Sequence, residues 1–136
     1  MILSITPSKL KTKRLTAQVR YSDGKERTIH FGYKSGGKTG YTWIDGASEA
    51  VRAAYWARHL GNPVEKRLIE NLVISPATLA AYILWGKYRN IQSNMEELNR
   101  IMKNWMNIIY IFKAYKEHIP DILNPCNPNL ISISNI

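Results

Sequence analysis

The chain has 136 residues, 45% of them apolar and 21% charged, with a formal net charge of +9. That balance excludes a disordered polar chain and is long enough for one domain with a buried core. The charge is uneven: residues 1–38 hold nine Lys or Arg against two acids, and residues 39–136 hold ten against eight. Such a basic N-terminal part points to a polyanion or an acidic protein surface. The single cysteine, Cys126, excludes an intrachain disulfide framework. The first residues lack the pattern of a secretory signal, and no apolar run is long enough for a membrane span.

Residues 1–14 form a basic lead-in, with Lys9, Lys11 and Lys13 alternating and Arg14 beside them. Two readings stay open, an edge strand guarded by lysines and a basic arm lying on a partner. Leu15, Ala17, Val19 and Tyr21 alternate with Thr16, Gln18 and Arg20, which predicts a half-buried strand. Asp23-Gly24 is a hairpin signal, and Arg27 to Tyr33 is the return strand. A glycine-rich loop follows, and Tyr41 to Ile44 reads as a third strand of a small meander.

Helices come next. Asp45 or Ser48 can cap one running to about Leu60, and Gly61 stops it. Asn62-Pro63 and Ser75-Pro76 each open a further helix, because proline suits the first helical position. These helices cover Val64 to Leu72 and Ala77 to about Tyr88. Ser93 to Glu96 has the spacing of a capping box and predicts the longest helix, to about His118. Along it Met95, Leu98, Met102, Trp105, Ile109 and Phe112 keep a heptad spacing. That seam packs either on the preceding helices or on another chain. Pro120 ends the helix, and Leu130 to Ile136 reads as a strand-like tail, either frayed or added to a neighbouring subunit's sheet.

The expected organisation is therefore α+β. Residues 1–14 are a basic arm, 15–118 one domain (a β-meander over 15–45 and about four helices over 46–118), and 119–136 an extended C-terminal arm.

Gly32 to Thr39 matches the phosphate-binding pattern G-x-x-x-x-G-K-[ST]. Its mechanism requires a helix opening directly after the lysine, so that helical N–H groups meet the phosphate. Here Gly40 to Ile44 reads as β, so the segment is expected to be a hairpin that presents Lys34 and Lys38. His30, His59 and His118 have no metal spacing, no catalytic constellation is recognisable, and no cofactor is expected. The candidate polyanion-binding or partner-binding residues are Lys9, Lys11, Lys13, Arg14, Lys34 and Lys38. The candidate partner seam is Leu98, Met102, Trp105, Ile109 and Phe112.

Several short motifs occur in a fixed order: Pro7-Ser8-Lys9, Asp23-Gly24-Lys25, Thr28-Ile29-His30-Phe31-Gly32, Tyr41-Thr42, Asp45, Tyr55, Arg58-His59 and Ile83-Leu84-Trp85-Gly86. Together they resemble a family of small basic proteins of large DNA viruses that infect algae and protists. The chain departs from its pattern at Gly40, where an aspartate is usual, and lacks a Glu-x-Trp after Arg58-His59. The resemblance implies a virion-associated viral protein and supplies no activity. Two functions are expected from it and from the surfaces above. One is a non-enzymatic minor capsid or cement component that bridges larger capsid subunits in a hetero-assembly, located in the virion and, during assembly, the host cytoplasm. The alternative is a basic nucleic-acid-binding or genome-packaging protein.

Overall fold

The structure, a computed structural model, describes residues 1–118. It is α+β, with an antiparallel sheet of order β1-β2-β3-β4 followed by helices. The strands are β1 (Ile2–Pro7), β2 (Lys13–Arg20), β3 (Glu26–Ser35) and β4 (Lys38–Thr39). The helices are α1 (Glu49–Leu60), α2 (Pro63–Glu70), α3 (Pro76–Leu79) and α4 (Ile91–His118). The expected arm at 119–136, with its strand-like tail, lies outside the described residues.

The alternation in β2 does what its period predicts. Leu15, Ala17 and Val19 are buried, and Leu15 and Ala17 meet Phe31 and Ile29 of β3 in register. Asp23-Gly24 makes the connecting turn, with Gly24 at positive φ. Residues 1–14 are not a free arm. Ile2–Pro7 pairs with β2 as the edge strand, and Ile2 is fully buried in the core. The outward backbone of Ile2 is also satisfied, because its N–H donates to Asn99 Oδ1 and its carbonyl accepts from Asn99 Nδ2, at 2.8 and 2.9 Å.

Tyr41 to Ile44 is not a strand. Thr42 and Asp45 form a reciprocal cap: the Asp45 carboxylate accepts from the Thr42 N–H and hydroxyl, and Trp43–Asp45 winds into a 3-10 turn. Gly46 closes it in a left-handed conformation. A local side-chain bond has outcompeted the β propensity of the aromatic and branched residues here. The fourth strand is instead Lys38–Thr39. It joins β3 through Gly36-Gly37, both at positive φ, which suits a two-residue hairpin turn.

The helix starts follow the sequence signals. Ser48 accepts from Val51 N–H, Asn62 from Val64 and Glu65, and Ser75 from Thr78. The third helix is shorter than its apolar pattern predicts. After Leu79 it widens into a π turn, Ala80–Leu84, and residues 85–90 are irregular. Ser93 is not a cap. Asn90 is, with its Oδ1 accepting from the Ser93 N–H at 2.9 Å. Asn94, the next residue, is buried in the first turn of α4. Its Nδ2 donates to the carbonyls of Ile83 and Tyr88, and its Oδ1 accepts from the Tyr88 N–H.

The chain divides into two compact units between Met102 and Lys103. In the first, one sheet face packs its apolar residues with Leu79, Ala81, Ile83, Leu84, Met95 and Leu98. In the second, the distal part of α4 carries Trp105, Met106, Ile108, Tyr110, Ile111, Phe112 and Tyr115, all between 37% and 75% exposed. The heptad seam is thus split. Met95, Leu98 and Met102 serve the protein's own core, so Leu98 and Met102 are not free for a partner. Trp105 and Phe112 are exposed and Ile109 is half-buried.

Candidate polyanion-binding site

In a meander every second turn falls at the same end of the sheet. The β1–β2 turn carries Lys9 and Lys11, and β2 opens with Lys13 and Arg14. Lys13 pairs with Tyr33, and the β3–β4 hairpin beside it carries Lys34 at the end of β3 and Lys38 at the start of β4. All six cations singled out from the sequence therefore gather at one end of the sheet. Arg14 is the member that is spoken for. Its guanidinium grips Asp45 in two bonds of 2.7 Å and also donates to the Gly40 carbonyl. The five lysines make no ion pair among the described residues.

The Arg14–Asp45 pair ties the start of β2 to the turn before α1. Together with the Thr42 bonds, Arg14 pulls the Asp45 carboxyl from its ordinary 3.8 down to about 2, against a smaller opposing effect of burial. A depressed carboxyl stabilises the fold fully above its unfolded pKa, and the contribution is lost as pH falls through the folded one. Asp45→Asn should therefore cost about 1 kcal/mol at neutral pH, the value of a charged hydrogen bond discounted for solvent access. The gap between the two proteins should close between about pH 4 and pH 2, as read by urea unfolding at several pH values.

Beside this pair a cavity of about 680 Å³ opens between the sheet end and the first three helices. One wall is a stack of rings. Tyr55 lies on Trp85, with centroids 4.5 Å apart and planes 9° off parallel, and His59 tilts against the other side of Tyr55 at 4.1 Å. Burial, helped by Glu65, pushes the Tyr55 hydroxyl up to about 12, so it stays neutral. His59 Nδ1 is held by the Glu65 carboxylate. Gly32 lets β3 approach this wall. It has φ +83°, and a side chain there would meet Arg14 Cβ at 3.0 Å and Leu84 Cδ1 at 3.1 Å.

The cavity gathers residues that the sequence offers far apart. Lys13, Arg14, Gly32, Thr42, Tyr55, Arg58, His59, Leu84 and Trp85 all line it. Most belong to the motifs that carried the resemblance. Lys9, Lys11, Lys34 and Lys38 do not line it and stay on the surrounding surface. Sequence reasoning missed Arg58 as a site residue, whereas Tyr33 and Tyr41, interleaved with basic residues, read either as a nucleic-acid stacking face or, the favoured reading, as core; both are exposed. The signal for Arg58 was its place one turn after Tyr55, on the same side of α1. The phosphate-loop match fails geometrically, since Lys38-Thr39 is a strand after a tight turn and no helix begins there.

Among the described residues there is no cluster of three or more His, Cys, Asp or Glu that could hold a metal, and no helix is long and apolar enough to cross a membrane.

The sheet, its basic end and the ring-walled cavity belong to a small α+β protein. The chain is 37% identical over 84 residues to "Uncharacterized protein L851" of Acanthamoeba polyphaga mimivirus, a match covering 61% of this chain and 80% of that protein. It belongs to the same giant-virus protein family. No protein-family profile matches the chain, and no solved structure matches it.

Proposed function

We propose that the protein is a non-enzymatic structural component of the virion, a minor capsid or cement protein that bridges larger capsid subunits. The observation that supports this reading is the exposed apolar surface of distal α4. Of its exposed residues, Trp105, Ile108, Ile111, Phe112 and Tyr115 fall within about a third of the helix circumference at 100° per residue, with half-buried Ile109 at the edge. A helix face of this kind suits a hydrophobic groove on a partner. Each such side chain buried there contributes roughly 1.5–3 kcal/mol before the cost of association. The partner is a larger capsid protein, and assembly takes place in the host cytoplasm.

The test is mass spectrometry of purified virions combined with an Ile108→Ser/Phe112→Ser double variant. Both residues are already exposed, so the double variant should melt like the parent while its virion incorporation falls at least about tenfold. A parent protein absent from virions would end this reading.

A second reading, a nucleic-acid-binding or genome-packaging protein, is favoured by the gathering of Lys9, Lys11, Lys13, Arg14, Lys34 and Lys38 at one sheet end. Phosphate contacts from these side chains would make affinity fall steeply with salt, with a log–log slope of about −0.7 to −0.9 per contact. Absence of DNA and RNA binding at low salt would remove it.

A further inference from the structure

The cavity beside the Arg14–Asp45 pair has two features that its neighbours leave unused. Lys13 and Arg58 both line it, and neither has a carboxylate partner among the described residues. The one carboxylate that lines it, Glu65, is occupied by His59, and Arg14 is occupied by Asp45. The cavity therefore offers uncompensated positive charge. Tyr33 and Tyr41 also line it, 70% and 68% exposed, and neither stacks on another ring among the described residues. Tyr55 and Trp85, by contrast, are spent on each other.

Open tyrosine rings next to unpaired cations are the elements that hold a base and its phosphate. An acidic peptide would use the cations and leave the rings idle. A purely apolar ligand would bury Lys13 and Arg58 without a counter-charge, which is costly. The volume, about 680 Å³, lies within the usual range of small-molecule sites, about 300–1,000 Å³. We infer that this cavity takes one nucleotide unit, free or as one residue of a single strand, with its phosphate on Lys13 and Arg58 and its base against Tyr33 or Tyr41. The inference deepens the nucleic-acid reading, on whose polyanion chemistry it rests, by separating a discrete pocket from the lysine surface around it. It is independent of the glycine-lysine hairpin, because Lys38 does not line the cavity.

The experiment is calorimetric titration of the full chain at low salt with AMP, inorganic phosphate, adenosine and a short oligothymidylate. AMP should bind with a Kd below about 1 mM, and phosphate and adenosine alone should each bind at least about tenfold more weakly, since each engages half of the site. Arg58→Ala should weaken AMP by about fivefold or more. Arg58 is exposed and makes no side-chain hydrogen bond or ion pair among the described residues, so the variant should keep the parent's thermal melt. Lys38→Ala should leave AMP binding unchanged and weaken the oligonucleotide. No AMP binding at millimolar concentration, or equal binding by the parent, Arg58→Ala and Lys13→Ala, would overturn the inference. Oligonucleotide binding without AMP binding removes the pocket and leaves the lysine surface standing. AMP binding without oligonucleotide binding keeps the pocket and removes the genome-packaging role.

Discussion

Asn94→Ala should lower stability by about 3 kcal/mol, the cost of leaving several buried backbone groups unpaired at about 1–3 kcal/mol each. The Asn94 side chain is 1% exposed and makes three bonds, to the carbonyls of Ile83 and Tyr88 and to the Tyr88 N–H. These are the groups that the irregular 85–90 segment cannot satisfy by itself. Asn94 is therefore a clamp between the end of the π turn and the start of α4. Urea unfolding checks the size, and two neighbouring variants separate a clamp from a cap. Asn90→Ala removes the true cap and should cost about 1 kcal/mol. Ser93→Ala removes the residue that the capping-box pattern points to and should change stability by less than about 0.5 kcal/mol. A large Ser93 effect, or a small Asn94 effect, would refute this assignment.

Gly86→Ala should be damaging for a steric reason. A Cβ at Gly86 would lie 2.0 Å from the Tyr82 carbonyl oxygen and 2.9 Å from Asn94 Cγ and Oδ1. The first obstacle is backbone and the second is the clamp, so neither can rotate away. Overpacking of this kind costs about 1–3 kcal/mol, occasionally more, and should lower Tm by about 10 °C. Gly40→Ala is the matched control. No atom lies within 4 Å of its added Cβ, and its melt should be unchanged. The Gly86 and Asn94 substitutions share a contact, so their effects should not add.

Much of the fold was legible in the sequence because its signals are local. The period-two alternation of Leu15 to Tyr21 and the Asp23-Gly24 turn gave the central hairpin. Ser48, one of two candidate caps, and the Asn62-Pro63 and Ser75-Pro76 pairs marked three helix starts to within a residue. What was illegible depended on competition between signals. Thr42 and Asp45 reach each other across three residues and override the strand pattern of Tyr41 to Ile44. Ile2 looked like part of a basic arm because its neighbourhood is rich in lysine, yet it is one of the most buried side chains. Ser93 had the right spacing for a cap, but Asn90 takes that place one turn earlier.

The candidate site was half legible. The lysines could be picked by charge, and the meander itself implies that their two turns share an end. The cavity could not be anticipated, because Lys13, Arg58 and the two open tyrosines meet only through the docking of α1 and α2 on that end. The seam divides between the two readings that its spacing leaves open. One uninterrupted spacing from Met95 to Phe112 crosses from a buried core into an exposed stretch, and periodicity alone does not record that change.

The π turn at Ala80–Leu84 has a consequence for comparing relatives. A π turn amounts to one residue more than an α-helix needs to cover the same path, and one residue rotates everything after it by about 100°. A relative with a single-residue gap between Pro76 and Gly86 would wind this segment as plain α-helix. Leu84 and Trp85 would then point along a different azimuth, and the ring pair with Tyr55 would dissolve even if every aromatic residue were retained. In an alignment, that one gap would be a better marker of a lost cavity than the identity of any of its lining residues.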